Sequence, residues 1–244
     1  MTRPGSTQSK TRNRRIVAAA LPLLAVIFAV VALQNPALAS ATRPVVVELF
    51  TSQGCSSCPP ADALLGELAQ RPDVIALGFH VDYWDNLGWK DPLSAPGSTR
   101  RQRDYAQLFN LSSIYTPQMV IEGRQQMVGS DRGAVLDGIA EAAPETTAAV
   151  SFDSDRHAVT IGSGTGQGQV LLVRFLRQRN TEVAQGENAG TRARDANGVT
   201  ALTALGTWQG AELHFTITPP AENEGLAVLV QAPDGHMLGA GAAL

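Results

Sequence analysis

The sequence predicts an α/β domain with a mixed central sheet and helices on both faces, followed by a smaller all-β, sandwich-like region. Three observations carry this expectation. Up to residue 142, β-branched apolar runs alternate with segments of helical periodicity, the order that builds parallel βα units. Beyond residue 147 helical periodicity largely stops, and six short alternating runs follow, separated by Gly, Pro, Asn and Asp clusters. Between the two, Ala143-Pro144-Glu145-Thr146-Thr147 has the composition of a linker. The expected bounds are a leader over 1–39, an α/β domain over 40–147 and a β-rich domain over 148–244.

The leader reads as an export signal. Arg12-Asn13-Arg14-Arg15 is basic, residues 16–33 are apolar, and Ala37-Leu38-Ala39 supplies a small-x-small cleavage pattern before Ser40. The rival is an uncleaved anchor, because the apolar run reaches the lower limit for crossing a bilayer. Pro22 and Gln34-Asn35-Pro36 weaken a spanning helix, so cleavage is favoured, with no membrane attachment afterwards. Either way the body is expected in an oxidising compartment, the periplasm or the exterior of a bacterium, where a disulfide persists. The 19 basic and 22 acidic residues give a net charge of −3; the leader holds five basic and no acidic residues, leaving 14 against 22, or −8. An acidic body offers no electrostatic case for nucleic acid.

In chain order, Val45-Val46-Val47-Glu48-Leu49-Phe50 reads as a buried strand, ended by Thr51-Ser52-Gln53-Gly54. The only two cysteines follow in Cys55-Ser56-Ser57-Cys58-Pro59-Pro60. A helix is expected over 61–69, with Leu64, Leu65 and Leu68 on one stripe and Asp62 and Glu67 off it; Pro59 and Pro60 are expected to kink it. A second buried strand spans 73–82, and a polar, aromatic segment spans 83–92. Ser98 is placed to cap a helix over 99–109. After Tyr115-Thr116-Pro117 come a strand over 118–122, a turn at Gly123 and a strand over 125–128. Ser130 and Asp131 cap a last helix through 142. The six later strands are expected at 149–152, 158–161, 170–175, 199–205, 213–217 and 226–231.

Strand, then Cys-x-x-Cys, then helix is the layout of a thioredoxin-type redox site, so the first domain is expected to be thioredoxin-like. Thiols three positions apart on a helical start fall on one face, so the pair can cycle between dithiol and disulfide. Cys55, nearest the loop, is the expected exposed nucleophile. Unpaired helix N–H groups and the helix dipole lower its pKa from the free value of about 8.5. Cys58 is the expected resolving thiol. An inert staple is one rival, although closing so short a loop restrains the unfolded chain by only about 2 kcal/mol. Metal carriage is another. Zinc lacks a second ligand pair, whereas copper with His80, Met119 or Met127 has nothing in the spacing that requires it.

Thr116-Pro117 is the second half of the constellation. A proline opening the strand of the hairpin stands beside the two sulfurs in a thioredoxin-like sheet, where a cis bond exposes the Thr116 backbone to a substrate strand. Glu48 is an acid in an apolar strand seven residues before Cys55. Burial raises a carboxyl pKa, which suits Glu48 to relay protons to the resolving thiol; the alternative is a carboxylate at a partly solvated strand edge. His80 and Asp82 share a strand face, and a lone strand histidine is more often a hydrogen-bonded core residue. Trp84 and Trp89 read as packing for the inserted segment or as a groove lining. Arg100, Arg101 and Arg103 read as a solvated helix face. Gly186-Glu187-Asn188-Ala189-Gly190 is the one compact polar motif of the second region; it lacks a nucleophile and reads as a specialised turn.

Three separated motifs together resemble a known exported thioredoxin-like family, the domain-of-unknown-function family numbered 1223. They are the run from Glu48 through Cys55 and Cys58 to Asp62, then His80-Val81-Asp82-Tyr83-Trp84-Asp85, then Tyr115-Thr116-Pro117-Gln118-Met119-Val120. The resemblance implies a thioredoxin fold with a Cys-x-x-Cys site and names no substrate. Relative to ordinary thioredoxins, Gly54 replaces the tryptophan before the first cysteine and about sixteen extra residues precede Pro117. The expected activity is exported thiol–disulfide exchange without a cofactor, with protein thiols or disulfides as partners. The alternatives are a non-catalytic binding module with a permanent disulfide and a periplasmic copper chaperone.

Overall fold

The computed structural model describes residues 43–142, 144 and 146–244, with Met1, Thr2 and Gly5. The chain divides into two compact units, Met1–Ala39 and Ser40–Leu244. The expected leader and its cleavage site lie outside the described residues, and the strands and helices of the described residues belong to the second unit. Among the described residues no helix is long and apolar enough to cross a membrane.

The elements run β1 (Val45–Thr51), α1 (Pro59–Leu68), β2 (Val74–His80), α2 (Pro96–Leu108), β3 (Gln118–Ile121), β4 (Gln125–Val128) and α3 (Arg132–Glu141). Then come β5 (Val150–Phe152), β6 (Ala158–Ile161), β7 (Gly168–Glu182), β8 (Arg192–Trp208), β9 (Leu213–Thr216), β10 (Glu224–Gln231) and β11 (Met237–Ala243). Eight strands form one mixed sheet, ordered β11-β10-β7-β8-β2-β1-β3-β4, and β5, β6 and β9 form a second, small sheet. The fold is therefore mixed α/β, with a large mixed sheet, few helices and a small extra sheet. β1 and β2 are parallel from Val45↔Val74 to Thr51↔His80, and β3 returns antiparallel to β1.

Alternation along β1 divides the core into layers. Val45, Val47 and Leu49 pack with Leu64, Leu65 and Leu68 of α1 and Val135 and Ile139 of α3. Val46 and Phe50 face the other way, with Leu77 and Phe79 of β2 and Tyr105 of α2. Period two in the strand and 3.6 in the helices thus place α1 and α3 on one face of the sheet and α2 on the other. The small sheet forms a third cluster, in which Val159 and Ile161 meet Leu172, Trp208, Leu226 and Val228.

Several boundaries differ from expectation for physical reasons. α1 starts at Pro59, with Cys58 as its N-cap residue, so both prolines occupy first-turn positions whose N–H groups have no helical partner; there is no helix before them to kink. α2 starts at Pro96 after Ala95, and Ser98 lies buried inside its first turn instead of capping it. α3 is capped as expected, Asp131 Oδ1 accepting from the Ala134 N–H at 3.1 Å.

The larger difference is in the β-rich region. β7 and β8 are 15 and 17 residues long, and they form a hairpin whose polar outer half pairs from Gln178↔Ala196 to Glu182↔Arg192. Ladder bonds between the two strands, not apolar burial, hold that outer half. β11 is also beyond the expected strands, because Leu238-Gly239-Ala240-Gly241 has no β-branched residue. A Cβ on Gly239 would lie 1.9 Å from the Ala148 carbonyl oxygen, so the small residues let the start of the β-rich region run directly over β11.

β7, β8, β10 and β11 do not close on themselves; they continue the sheet of the first half. The seam is the parallel bridge Gly78↔Gly198, braced by Asn197 Nδ2 donating to the Ala76 carbonyl at 2.9 Å. Both seam glycines sit where a side chain would be crowded. A Cβ at Gly78 would lie 3.2 Å from Leu65, and one at Gly198 would lie 2.7 Å from Leu93.

Candidate functional site

The turn after β1 is built from its own short-range hydrogen bonds. The Cys55 N–H donates to the Ser52 carbonyl at 3.1 Å, the Gly54 N–H to Ser52 Oγ at 3.1 Å, and the Cys58 N–H to the Cys55 carbonyl at 3.2 Å. Ala61 and Asp62 then donate to the Cys58 carbonyl and open α1. Cys55 and Cys58 are joined by a disulfide, their Cα atoms 5.4 Å apart. Both cysteines are 0% exposed, while Ser56 and Ser57 between them face solvent. The expected solvent exposure of Cys55 is therefore absent in this oxidised form.

The second expected element lies beside the first. The Thr116–Pro117 peptide is cis. The Ser57 hydroxyl is 3.4 Å from Cys55 Sγ and donates to the Thr116 carbonyl over 3.5 Å, linking the disulfide to the proline turn. Trp84 lies against Gly54, and its Nε1 donates to Thr116 Oγ1 at 2.9 Å. The inserted segment thus sets the Trp84 backbone and Cβ beside the residue that precedes the first cysteine and its indole on Thr116. Gly129 closes the other side; a Cβ there would lie 2.9 Å from Leu49, 3.2 Å from Ala61 and 3.3 Å from Pro117.

Behind the turn is a buried polar cluster that the sequence did not announce. His80 Nδ1 bonds Asp91 Oδ2 at 2.7 Å, and the same carboxylate oxygen accepts the Gln53 N–H at 2.8 Å. Gln53 Nε2 donates to Asp195 Oδ2 at 2.7 Å, and Trp89 Nε1 donates to Gln53 Oε1 at 3.1 Å. On α1, Asp62 accepts from the Thr51 hydroxyl at 2.6 Å. Burial opposes a charged imidazole at His80, but the bond to Asp91 and the charges of Asp91, Asp195 and Asp62 outweigh it and hold its pKa at about 9. Burial raises Asp62 to about 7, against the Thr51 hydrogen bond and the His80 charge. At Asp91 burial is overcome by the His80 bond and charge, and its pKa falls; at Asp195 burial prevails and its pKa rises.

Glu48 is fully buried, not at a solvated edge, and it faces α2 while α1 covers the opposite side of the sheet. Arg101 donates to both its oxygens, Nε to Oε1 at 2.7 Å and a terminal nitrogen to Oε2 at 3.0 Å, and the Tyr105 hydroxyl bonds it too. Burial pushes the Tyr105 phenol well above its usual range, so it stays a proton donor. Arg101 is accordingly a core residue, stacked over Phe79 and Tyr105, and does not belong to a solvated face with Arg100 and Arg103. His80 and Asp82 also separate: Asp82 bonds Thr99 of α2. The acid on the α1 side of the sheet is Asp62, one turn past Cys58.

The Gly186–Gly190 motif forms the tip of the β7–β8 hairpin, with positive φ at both glycines. It reaches the cysteine turn. Asn188 Nδ2 donates to the carbonyls of Gln53 and Cys55, both at 2.9 Å, and Glu187 Oε2 accepts the Ser56 N–H at 3.2 Å. Gly186 packs on Trp89, where a Cβ would lie 3.0 Å away. No local pattern points to this contact, since 133 positions separate Asn188 from Cys55.

Among the described residues no group of three His, Cys, Asp or Glu side chains is arranged to hold a metal ion. Of the residues considered for copper, His80 is held by Asp91, and Met119 and Met127 pack in the layer beneath α1 and α3.

No curated protein matches the chain. It is similar to the crystal structure of protein AGR_C_4864 from Agrobacterium tumefaciens, with 32% identity and a TM-score of 0.69 over 83% of this chain and 95% of that one. In fold alone it is similar to HBP35 of Porphyromonas gingivalis, with 13% identity and a TM-score of 0.50 over 83% of this chain and 75% of that one. A family model described as "Protein of unknown function (DUF1223)" matches residues 46–231, and with those elements and that cysteine pair the chain belongs to this family.

Proposed function

We propose that this protein is an exported thiol–disulfide oxidoreductase with a thioredoxin-like site, in which Cys55 is the nucleophile and Cys58 the resolving thiol. One observation carries the reading: the disulfide stands at the start of α1, one hydroxyl away from Thr116-Pro117. In the reducing direction the Cys55 thiolate attacks one sulfur of a substrate disulfide, forming a mixed disulfide and releasing the other sulfur as a thiolate that takes a proton. The Cys58 thiolate then attacks Cys55 Sγ. This frees the second substrate thiol and leaves the Cys55–Cys58 disulfide, with two electrons passed to the substrate. The oxidising direction is the reverse. Thr116 and Pro117 shape the substrate contact, and Asp62 is better placed than Glu48 to exchange protons with the Cys58 side of the turn.

The burial of both sulfurs favours a second reading, a binding module that keeps the disulfide permanently. Thiol exchange requires local opening around the exposed Ser56–Ser57 pair and the hairpin tip. One experiment separates the readings. Cys58→Ser protein, incubated with periplasmic extract and resolved without reductant, is expected to carry partner proteins on Cys55. The absence of any adduct, together with a wild-type disulfide inert to glutathione, would establish the binding module instead.

A further inference from the structure

A thiolate at a helix start is normally stabilised by the unpaired N–H groups of the first turn. Here that supply is depleted. Pro59 and Pro60 fill the first two helical positions and carry no N–H, and the N–H groups of Ala61 and Asp62 are turned to the Cys58 carbonyl. The Cys58 N–H is held by the Cys55 carbonyl. The Ser56 N–H, directly after the nucleophile, is taken by the Glu187 carboxylate. A negative charge therefore stands beside the place where the Cys55 thiolate would form, and it holds a donor that the thiolate would otherwise use. Asn188 meanwhile fixes the carbonyls on either side of Gly54.

We propose that Glu187 and Asn188 are positioning residues of the redox site, supplied from the far end of the chain: Asn188 holds the Cys55 turn in shape, and Glu187 holds back the reactivity of Cys55 by charge. This rests on the redox reading of the pair and adds its bias. Destabilising the thiolate favours the disulfide over the dithiol, so the tip moves the pair toward the reducing end of its range. The relevant equilibrium is protein disulfide plus two glutathione going to protein dithiol plus glutathione disulfide, two electrons and two protons moving together.

The test uses the full mature chain, reduced and freed of reductant, with iodoacetamide alkylation of Cys55 followed across pH by mass spectrometry. Glu187→Gln is expected to lower the midpoint of alkylation by about half a pH unit, the scale of one partly screened charge. Glu187→Lys should lower it about twice as far, and both shifts should shrink in 1 M salt. The glutathione equilibrium should move toward dithiol in the same order. Asn188→Ala should speed reduction of the disulfide by dithiothreitol several-fold. A purely structural tip would make Gln and Lys equivalent and insensitive to salt, which overturns the charge role; an unchanged reduction rate in Asn188→Ala overturns the bracing role. Because alkylation needs no partner protein, midpoint shifts with an empty Cys58→Ser trap and a wild-type disulfide inert to glutathione would defeat the redox reading alone. A full trap without shifts would defeat this proposal alone.

Discussion

At the scale of single residues, two buried charges behave differently. Glu48 and Arg101 form a dry bidentate pair that Tyr105 completes, with Gln231 on the outer guanidinium nitrogen at 3.1 Å. Removing one partner strands the other, so Glu48→Gln should cost about 3–5 kcal/mol in urea unfolding, and Glu48→Gln with Arg101→Met should recover most of that loss. The same Glu48→Gln protein should keep the pH profile of its thiol exchange, because its carboxylate faces α2; a moved profile would restore it as the relay. His80 acts through pH. Its folded pKa of about 9 lies above the unfolded value of about 6.5, so its contribution is fully present below pH 6.5 and is lost as pH rises through 9. Asp62, raised to about 7, adds a loss of the same sign at lower pH, because the unfolded carboxyl ionises first. Thermal unfolding should thus show stability declining from pH 6.5 to 9, and His80→Gln should flatten that decline while lowering stability at pH 6.

At the scale of elements, what was legible in the sequence follows from which forces act locally. β1 and β2 announce themselves as continuous apolar runs buried on both faces, the three helices do so because one-sided burial imposes a period, and Asp131 caps α3 as its position requires. The cysteine pair and Thr116-Pro117 were legible because strand, helix and hairpin order brings them together. Arg101 was not, since a guanidinium within Arg100-Arg101-Gln102-Arg103 looks solvated until Glu48 is found beneath it. Asp91 and Asp195 were hidden for the same reason: their partners are brought by tertiary contact, His80 from 11 positions away and Gln53 from 142. The hairpin arms were missed where cross-strand pairing replaces apolar burial, and with them the tip that meets Ser56.

At the scale of the whole molecule, the two halves share one sheet and a set of buried and part-buried polar links. Arg43 bonds Glu122 of the first half and the Met237 carbonyl of the last. Arg101 reaches Gln231, and Gln53 reaches Asp195. Gly123 approaches Gly235 so closely that a Cβ would lie 1.9 Å from its carbonyl oxygen. A chain ending at residue 147 would bare the β2 edge and the apolar layer that includes Phe79, Val81 and Leu77, which normally meets Leu171, Val173 and Phe175. That fragment is expected to aggregate or lack a cooperative thermal transition, as size-exclusion chromatography and calorimetry would reveal.

The seam also sets an order of events in time. Gly78 waits for Gly198, 120 positions later, before its strand acquires a neighbour on that side. During vectorial synthesis β1 to β4 emerge with one border open, and native closure has to follow a long-range search of the kind that slows β-rich topologies. The nascent chain therefore passes through a sticky adolescence that ends only when nearly all of it is free.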